Sequence, residues 1–428
     1  GKSKTHLFVQ TLDTVMVYDA DGQLALGEQL GAPLATTLAD VDGDARQDII
    51  AFYRSSEGPM VAAIRADGGA VIWQRALPDL GDPARAAAVD FDDNDRPWVV
   101  VGDLTGHIAA LEPNGQVAWR YVLENTAELR GLDDILAPGK VHLIAVANRG
   151  GDVAAIDRQG HVAWTYALPA GLRRLRTYEL QAPGRSAVLL GGEGGEVIAL
   201  DGDSGQSLWT TAVGQAVTEI RLAELDGDSA THEIVAGGKK GGVWGFDQSG
   251  QRLFSSSAGG AKVMEIAALP QSGSARELVA VGDEAGSVTF FRANGDKIAS
   301  ASYSAPINRL AVGTVAGIEQ LLVADASQVR AVAPEVRAAP FWYTPLLGGL
   351  LACAVIAVAA WLVGSARPAP ALQLSAEQMT VEAQKARRLM LHETIADLER
   401  LRQAGEVPAD AYLARLKDLR TQLADAEA

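Results

Sequence analysis

The sequence predicts an all-β fold, an eight-bladed β-propeller, followed by one transmembrane helix and a small α-helical hairpin. Three patterns support this prediction: a repeat of about 45 residues, a long apolar run without charges, and leucines at helical spacing behind it. We therefore expect the β-propeller domain over residues 1–336, the transmembrane helix over 341–364, a linker over 365–374 and the helical hairpin tail over 375–428.

Glycines set the period of the repeat, and a large side chain stands four residues after most of them. The glycines are Gly22, Gly69, Gly115, Gly160, Gly205, Gly250 and Gly295. The aromatic residues that stand four positions after a glycine of this set are Trp73, Trp119, Trp164, Trp209 and Phe254. Each unit alternates apolar and polar residues with period two and is interrupted by glycine, which excludes a helical solenoid. Four short antiparallel strands per unit are typical of a propeller blade, and we expect the aromatic rings to be buried between blades.

The number of blades depends on the two ends of the repeat region. If the strands of a blade are labelled a to d from the centre outward, residues 6–30 supply b, c and d of the first blade. Residues 307–333 supply a, b and c of the last, with six complete blades between them. Eight blades use every strand. Seven blades, closed by residues 307–312, would leave two strands unpaired and are the alternative; a stretch before Gly1 would supply a missing strand.

One repeat unit, ALDGDSGQSLW, resembles the tryptophan docking motif of quinoprotein-type propellers. The matching residues are Ala199, Asp201, Ser204, Gly205 and Trp209. The resemblance extends over about residues 6–334 and implies the propeller fold. Enzymes of that family hold a quinone with an adjacent cysteine pair, a calcium ion and an aspartate base, whereas Cys353 is the only cysteine here. Non-catalytic relatives, such as the propeller lipoprotein of outer-membrane barrel assembly, bind proteins, and the resemblance implies this branch, without a cofactor.

The charge of the chain argues against a nucleic-acid partner. With 37 basic and 53 acidic side chains the formal net charge is −16. Most of this excess falls before residue 365, in the propeller region. A domain of that charge repels phosphate backbones, so we expect no nucleic acid among its partners.

An apolar run predicts the membrane segment. Leu346–Gly364 carries no charge, and as a helix it would be about 28 Å long, which matches a hydrocarbon core of about 30 Å. The aromatic residues that flank it are Phe341, Trp342, Tyr343 and Trp361. The basic residues that follow it are Arg367, Lys385, Arg387 and Arg388. Because basic residues are in excess on the C-terminal side of the span, that side is expected to be cytoplasmic. The sequence therefore predicts a single-pass protein with an extracytoplasmic propeller and a cytoplasmic tail. A buried core helix is the alternative.

The last 54 residues contain two apolar stripes separated by Gly405 and Pro408. The stretch LERLRQAGEVPADAYLARLKDL resembles the SHOCT-type C-terminal hairpin. We expect a partner-binding face made of Leu398, Leu401, Leu416 and Leu419. Two helices of this size bury too little surface to be stable alone, so we expect the face to meet another protein subunit at the membrane. A solvated, marginal helix pair is the alternative.

An acidic stretch, DVDGDARQD, predicts a calcium loop. Its carboxylates are Asp40, Asp42, Asp44 and Asp48, at the spacing of calcium loops in integrin-type propeller repeats. Carboxylates so close together repel each other unless a hard cation joins them. An acidic turn without an ion is the alternative. Two weaker versions of this pattern occur. In the first, Asp90, Asp92 and Asn94 are followed by Trp98 at the fourth position. In the second, Glu224, Asp226 and Asp228 are followed by His232.

These patterns together predict a non-enzymatic, membrane-anchored propeller. It would act as a scaffold, accessory or assembly subunit of a membrane protein complex, in contact with the lipid bilayer and with other subunits. None of the six histidines stands in an HExxH motif, and no GxSxG occurs. The first alternative is an extracytoplasmic ligand-sensing receptor with the tail as its output. A quinone-dependent dehydrogenase is the second and is disfavoured.

Overall fold

A computed structural model describes residues 7–332 of the chain. The stretches inside this range that it does not describe are residues 12, 19–23, 92–95, 125–126, 136–141, 180–185, 229, 272, 316–317 and 326–328. The described residues form 30 strands in eight antiparallel sheets, each a simple meander in chain order.

The first four sheets are blades 1 to 4. Blade 1 contains β1 (Leu7–Gln10), β2 (Thr14–Tyr18) and β3 (Leu24–Gln29). Blade 2 contains β4 (Leu34–Ala39), β5 (Asp48–Ser55), β6 (Gly58–Arg65) and β7 (Val71–Ala76). Blade 3 contains β8 (Pro83–Val89), β9 (Trp98–Asp103), β10 (His107–Leu111) and β11 (Val117–Val122). Blade 4 contains β12 (Leu129–Ile135), β13 (Leu143–Asn148), β14 (Asp152–Asp157) and β15 (Val162–Ala167).

The remaining sheets are blades 5 to 8. Blade 5 contains β16 (Leu172–Glu179), β17 (Ser186–Gly192), β18 (Glu196–Asp201) and β19 (Ser207–Ala212). Blade 6 contains β20 (Val217–Ala223), β21 (Glu233–Gly238), β22 (Gly242–Phe246) and β23 (Arg252–Ser257). Blade 7 contains β24 (Val263–Leu269), β25 (Leu278–Asp283), β26 (Ser287–Phe291) and β27 (Lys297–Ser302). Blade 8 contains β28 (Arg309–Val315), β29 (Ile318–Ala324) and β30 (Val329–Val332).

The prediction of eight blades is confirmed, and the seven-bladed alternative is wrong. Strands 28 to 30 form a separate sheet of their own instead of closing the first blade. As expected, the first and last described sheets have three strands each, and the six between them have four.

The hydrophobic core lies between neighbouring blades. Strands β9, β13, β21 and β25 are buried along their whole length, because blades cover both of their faces. Within the described residues, each blade shares a core cluster with the next, from blades 1 and 2 to blades 7 and 8. The innermost strands of blades 2 to 8 contact one another in order around the axis.

Because strands within a blade are antiparallel, the connections fall on two opposite faces. The a–b and c–d loops lie on one face, and the b–c and d–a loops lie on the other. The exposed loops of each face are therefore held on a rigid, buried frame, which is the arrangement that positions the sites described next.

The chain divides into two units, Gly1–Val336 and Arg337–Ala428. The whole second unit, with the predicted membrane segment, linker and tail, lies outside the described residues. In the part of the chain that the structure describes, no helix is long and apolar enough to cross a membrane.

Candidate functional site

The repeated aromatic residues lie on the outer strands, each against the glycine of the following blade. Cβ atoms built on those glycines would come within 2.5–2.8 Å of the neighbouring ring. The pairs are Trp73 with Gly115, Trp119 with Gly160, Trp164 with Gly205, Trp209 with Gly250, and Phe254 with Gly295. Four of the rings are buried and Trp209 is half-buried. The 45-residue glycine period is therefore a packing requirement between blades.

Each tryptophan of this set also makes a hydrogen bond across the blade junction. The indole Nε1 donates to a backbone carbonyl in the c–d loop of the next blade at 2.8–2.9 Å. The acceptors are the carbonyl oxygens of Pro113, Arg158, Gly202 and Gln248. A buried indole N–H that lacks an acceptor is costly, so these bonds fix the relative position of adjacent blades.

The predicted calcium loop is the a–b loop of blade 2, between β4 and β5. Asp40, Asp42 and Asp48 bring carboxylate oxygens within 4.8 Å of one another. The side chain of Asp44 is not part of this group and accepts a hydrogen bond from the Arg46 N–H at 2.9 Å. The loop thus brings together three of the four acids chosen from the sequence.

Charge repulsion in this loop is only partly compensated. Burial, reinforced by the neighbouring carboxylates of Asp42, Asp44 and Asp40, raises the pKa of Asp48 to about 6. The guanidinium of Arg65 contacts Asp42 directly. Both carboxylate oxygens of Asp40 accept backbone N–H groups of the loop. A cation at this site would compete with Arg65 for the carboxylate of Asp42.

A second acidic group, in the a–b loop of blade 6, was assigned incompletely from the sequence. The carboxylates that approach within 4.8 Å are those of Glu224, Asp226 and Glu233. Glu233 takes the place that Asp48 has in blade 2, and its Oε2 accepts a hydrogen bond from Leu225 N as Asp48 Oδ2 does from Val41 N. The loop is one residue longer, so the acid follows His232, the residue at the expected position.

A chain of opposite charges runs along the inner strands of blades 5 to 8, and sequence reasoning missed it. Glu219 is fully buried, contacts Arg174, and lies 3.5 Å from Arg176 Nη2 and 3.9 Å from Arg221 Nε at its Oε1 atom. On the inner strand of the next blade, β24, Glu265 contacts Arg221 and accepts a hydrogen bond from Arg309 Nη1 at 3.0 Å. Four guanidiniums thus share two carboxylates.

The guanidiniums of this inner chain are not fully satisfied. The Nε atoms of Arg174 and Arg176 are buried and have no hydrogen-bond acceptor among the described residues. Burial, and then the nearby charge of Arg176, lower the pKa of Arg174. A signal for this feature existed, because charged residues recur about every 45 residues on the inner strands; they are Arg85, Arg130, Arg174, Glu219, Glu265 and Arg309.

The fold and its tryptophan–glycine joints define the chain as an eight-bladed propeller of PQQ-like repeats. The sequence profile of the family described as outer membrane protein assembly factor BamB matches it over residues 57–233 and 149–341. The chain belongs to that family. No curated protein matches the chain in sequence.

Solved structures with the same architecture include proteins of several kinds. BamB from Moraxella catarrhalis is 18% identical, with a TM-score of 0.55 over 79% of this chain and 98% of its own. The computationally designed protein Ika8 is 16% identical, with a TM-score of 0.59 over 78% and 94%. Chaetomium thermophilum Sqt1, bound to the N-terminus of ribosomal protein L10, is 13% identical, with a TM-score of 0.55 over 75% and 90%. At these identities the likeness establishes the fold.

Proposed function

We propose that this protein is a non-enzymatic, membrane-anchored propeller that acts as a scaffold, accessory or assembly subunit of a membrane protein complex. The observation that carries the proposal is the match to the assembly-factor family over residues 57–341. Two structural neighbours support it: BamB gives the assembly-factor family its name, and Sqt1 binds the N-terminus of ribosomal protein L10. The single cysteine also leaves no adjacent cysteine pair for the quinone of the related dehydrogenases.

The construction of the domain supports protein binding. The tryptophan–glycine joints and the buried second strands, such as β9 and β13, hold the blades rigidly, so the loops of both faces have fixed positions before a partner arrives. A preorganised surface loses little conformational entropy on binding. Two lysines in the b–c loop of blade 6, Lys239 and Lys240, and Lys262 in the d–a loop of blade 7 lie on the same face.

The anchoring part of the proposal rests on the sequence. The charge-free segment within 341–364 supports a single membrane span, and the basic residues after it support a cytoplasmic tail and an extracytoplasmic propeller. Partners would then be other subunits at the membrane and the bilayer itself. The net charge of −16 argues against nucleic acid.

The experiment is cross-linking of the full chain in native membranes with a lysine-reactive reagent, followed by mass spectrometry. We expect cross-links from Lys239, Lys240 or Lys262 to one specific membrane subunit that co-purifies in a fixed ratio. A purified protein that carries a quinone absorbance band would contradict the non-enzymatic part. A chain that purifies alone, with cross-links only within itself, would contradict the scaffold role.

One observation favours a second function, that of a ligand-sensing receptor. The four guanidiniums that share Glu219 and Glu265 near the axis leave an excess of positive charge there. This excess suits a compact anion, because guanidiniums bind carboxylate and phosphate groups through paired hydrogen bonds. Calorimetric titration of the full chain with citrate and with inorganic phosphate tests this alternative. Saturable binding that Arg176→Gln removes would favour the receptor over the scaffold.

A further inference from the structure

The a–b loop of blade 6, residues 224–232 between β20 and β21, gathers negative charge in a buried place. Carboxylate oxygens of Glu224, Asp226 and Glu233 all lie within 4.8 Å of one another. Glu224 is 6% exposed and Glu233 is 3% exposed, whereas Asp226 lies at the surface. The group is therefore open to solvent on one side and closed by protein on the other.

The backbone of the loop holds the three carboxylates in place. Gly227 N donates to Glu224 Oε1 at 2.6 Å, and Asp228 N donates to Asp226 Oδ1 at 2.8 Å. Leu225 N and Asp226 N both donate to Glu233 Oε2, at 2.7 and 3.2 Å. One oxygen of each carboxylate is thus occupied, and the side chains are fixed before any ligand binds.

The charge of this group has no compensating cation among the described residues. The other oxygen of Glu224, Oε2, is buried and accepts no hydrogen bond from the described part of the protein. No ion pair joins a described lysine or arginine side chain to any of the three acids; Arg276 Nε donates to the backbone carbonyl of Asp226 instead, at 3.1 Å. Burying an ionised carboxylate without a partner is strongly unfavourable.

The corresponding loop of blade 2 shows what a compensated version looks like. Its carboxylates accept from backbone donors at three equivalent positions, but both oxygens of Asp40 are occupied and Asp42 is contacted by the guanidinium of Arg65. The two loops therefore differ in two respects that matter for a metal ion. Blade 2 supplies an arginine and occupies both oxygens of Asp40, whereas in blade 6 no described basic side chain forms an ion pair with the acids and Glu224 Oε2 accepts no hydrogen bond.

We propose that Glu224, Asp226 and Glu233 form a binding site for a hard divalent cation, and specifically for Ca²⁺. Ca²⁺ takes six to eight oxygen ligands in flexible geometry, so carboxylates completed by water from the open side suit it. Mg²⁺ is smaller, demands a near-ideal octahedron and dehydrates reluctantly, so it fits a preset group of carboxylates less well. This inference does not rest on the proposed protein-binding function.

The bound ion would stabilise the junction between blades 6 and 7. Glu224 N donates to Glu277 Oε2 at 2.8 Å, and Glu277 N donates to the carbonyl of Glu224 at 2.8 Å. Arg276, which precedes Glu277 in the chain, donates a hydrogen bond from Nε to the carbonyl of Asp226. The loop that carries the acids is therefore already joined to the start of β25, and an ion that fixes the loop fixes this joint.

The test is calorimetric titration of the chelator-treated full chain with CaCl₂, and in parallel with MgCl₂. We expect Ca²⁺ binding that Glu224→Gln and Glu233→Gln each weaken by about tenfold or more, because the affinity of such sites depends on the number of charged ligands. Asp228→Asn is the matched control: it removes the same charge from the same loop but lies outside the group, and it should keep wild-type affinity. Binding should also survive in Asp42→Ala, which separates this site from blade 2.

Three results would overturn the proposal: no heat of Ca²⁺ binding up to millimolar concentration, equal weakening by Asp228→Asn and Glu224→Gln, or complete loss of binding in Asp42→Ala alone. Stronger binding of Mg²⁺ than of Ca²⁺ would overturn the assignment of the ion. If the buried-residue variants lose their β-sheet circular dichroism, Asp226→Asn at the exposed ligand replaces them and carries the same expected loss.

Discussion

Gly205 lies directly against the indole ring of Trp164, which belongs to the preceding blade. A Cβ atom at Gly205 would be only 2.6 Å from the ring atom Cδ2, and the backbone there has a φ of +68°. Trp164 Nε1 donates to the carbonyl of Gly202 in the same loop at 2.8 Å. The glycine thus provides both the left-handed turn and the space for the ring, and the two residues form one joint between blades 4 and 5.

This joint predicts two distinct losses of stability. Trp164→Ala should lower the free energy of unfolding by about 3–5 kcal/mol, because it empties a buried aromatic site. Gly205→Ala should cost more than the ~1–2 kcal/mol of a left-handed alanine, because the ring must also move. Urea denaturation followed by circular dichroism measures both.

Gly214 is the matched control for the glycine. Its φ is +79°, but a Cβ atom there would have no heavy atom within 4 Å. Gly214→Ala therefore isolates the backbone penalty alone. If Gly205→Ala and Gly214→Ala destabilise the domain equally, the ring does not require the glycine and the packing explanation of the period is wrong.

The inner chain of charges predicts an unequal response at two carboxylates. Glu219 is fully buried among Arg174, Arg176 and Arg221, so Glu219→Gln should destabilise the domain by about 3–5 kcal/mol by leaving buried guanidiniums uncompensated. Asp79 pairs with Arg120 at 3.2 Å where both side chains are exposed. Asp79→Asn should therefore cost less than about 1 kcal/mol. Equal losses in urea melts would show that the inner chain contributes no more than a surface pair.

The sequence was sufficient for the architecture because the blade is a local unit. Glycine and aromatic residues repeat with a fixed offset, and strands alternate with period two, so the repeats predict eight blades; the two incomplete ends left seven as the alternative, which the structure excludes. The offset also has a direct cause, since Trp164 of one repeat contacts the glycine of the next, Gly205.

The charged sites were harder because their partners lie on neighbouring blades and the sign of the charge changes from one repeat to another. Glu219 contacts Arg174 and lies near Arg176 from another blade; the 45-residue recurrence marks the charged position, but it does not show which of these residues pair. In blade 6 the fixed spacing of the acidic pattern pointed to His232. One extra residue moved the acid to Glu233, which begins β21 as Asp48 begins β5. Position relative to the strand is therefore a better guide than position in the loop.

Calcium at the acidic loop of blade 2 remains a prediction with its own test. In a Glu224→Gln background, which removes the blade 6 group, chelator should still lower the melting temperature, by about 2–4 °C for each kcal/mol of ion binding. Asp42→Ala should abolish the remaining sensitivity. Because Arg65 contacts Asp42, Arg65→Gln should increase the effect of added Ca²⁺. If chelator has no effect in the Glu224→Gln background, the aspartates form a solvated turn compensated by arginine.

The topology of the chain predicts opposite locations for its two ends. A reporter fused after Ala428 should be active in the cytoplasm, and one fused before Gly1 should not, because the charge-free run allows one span and the basic residues follow it. Paired alkaline phosphatase and green fluorescent protein fusions measure this. Two reporters on the same side would exclude a single span.

The last prediction concerns the tail, which links the anchor to a partner. Leu398, Leu401, Leu416 and Leu419 should form one apolar face when the hairpin folds at Gly405–Pro408. Two short helices bury too little apolar surface to offset the ordering of about 40 residues, so the hairpin should need a partner, and the anchor would hold it at high local concentration beside one. Leu401→Asp combined with Leu416→Asp should leave the propeller folded and inserted but release a co-purifying subunit, and deletion of residues 372–428 should do the same. Quantitative mass spectrometry of the purified complexes measures the release, and retention of every wild-type partner by both variants would place the binding on the propeller alone.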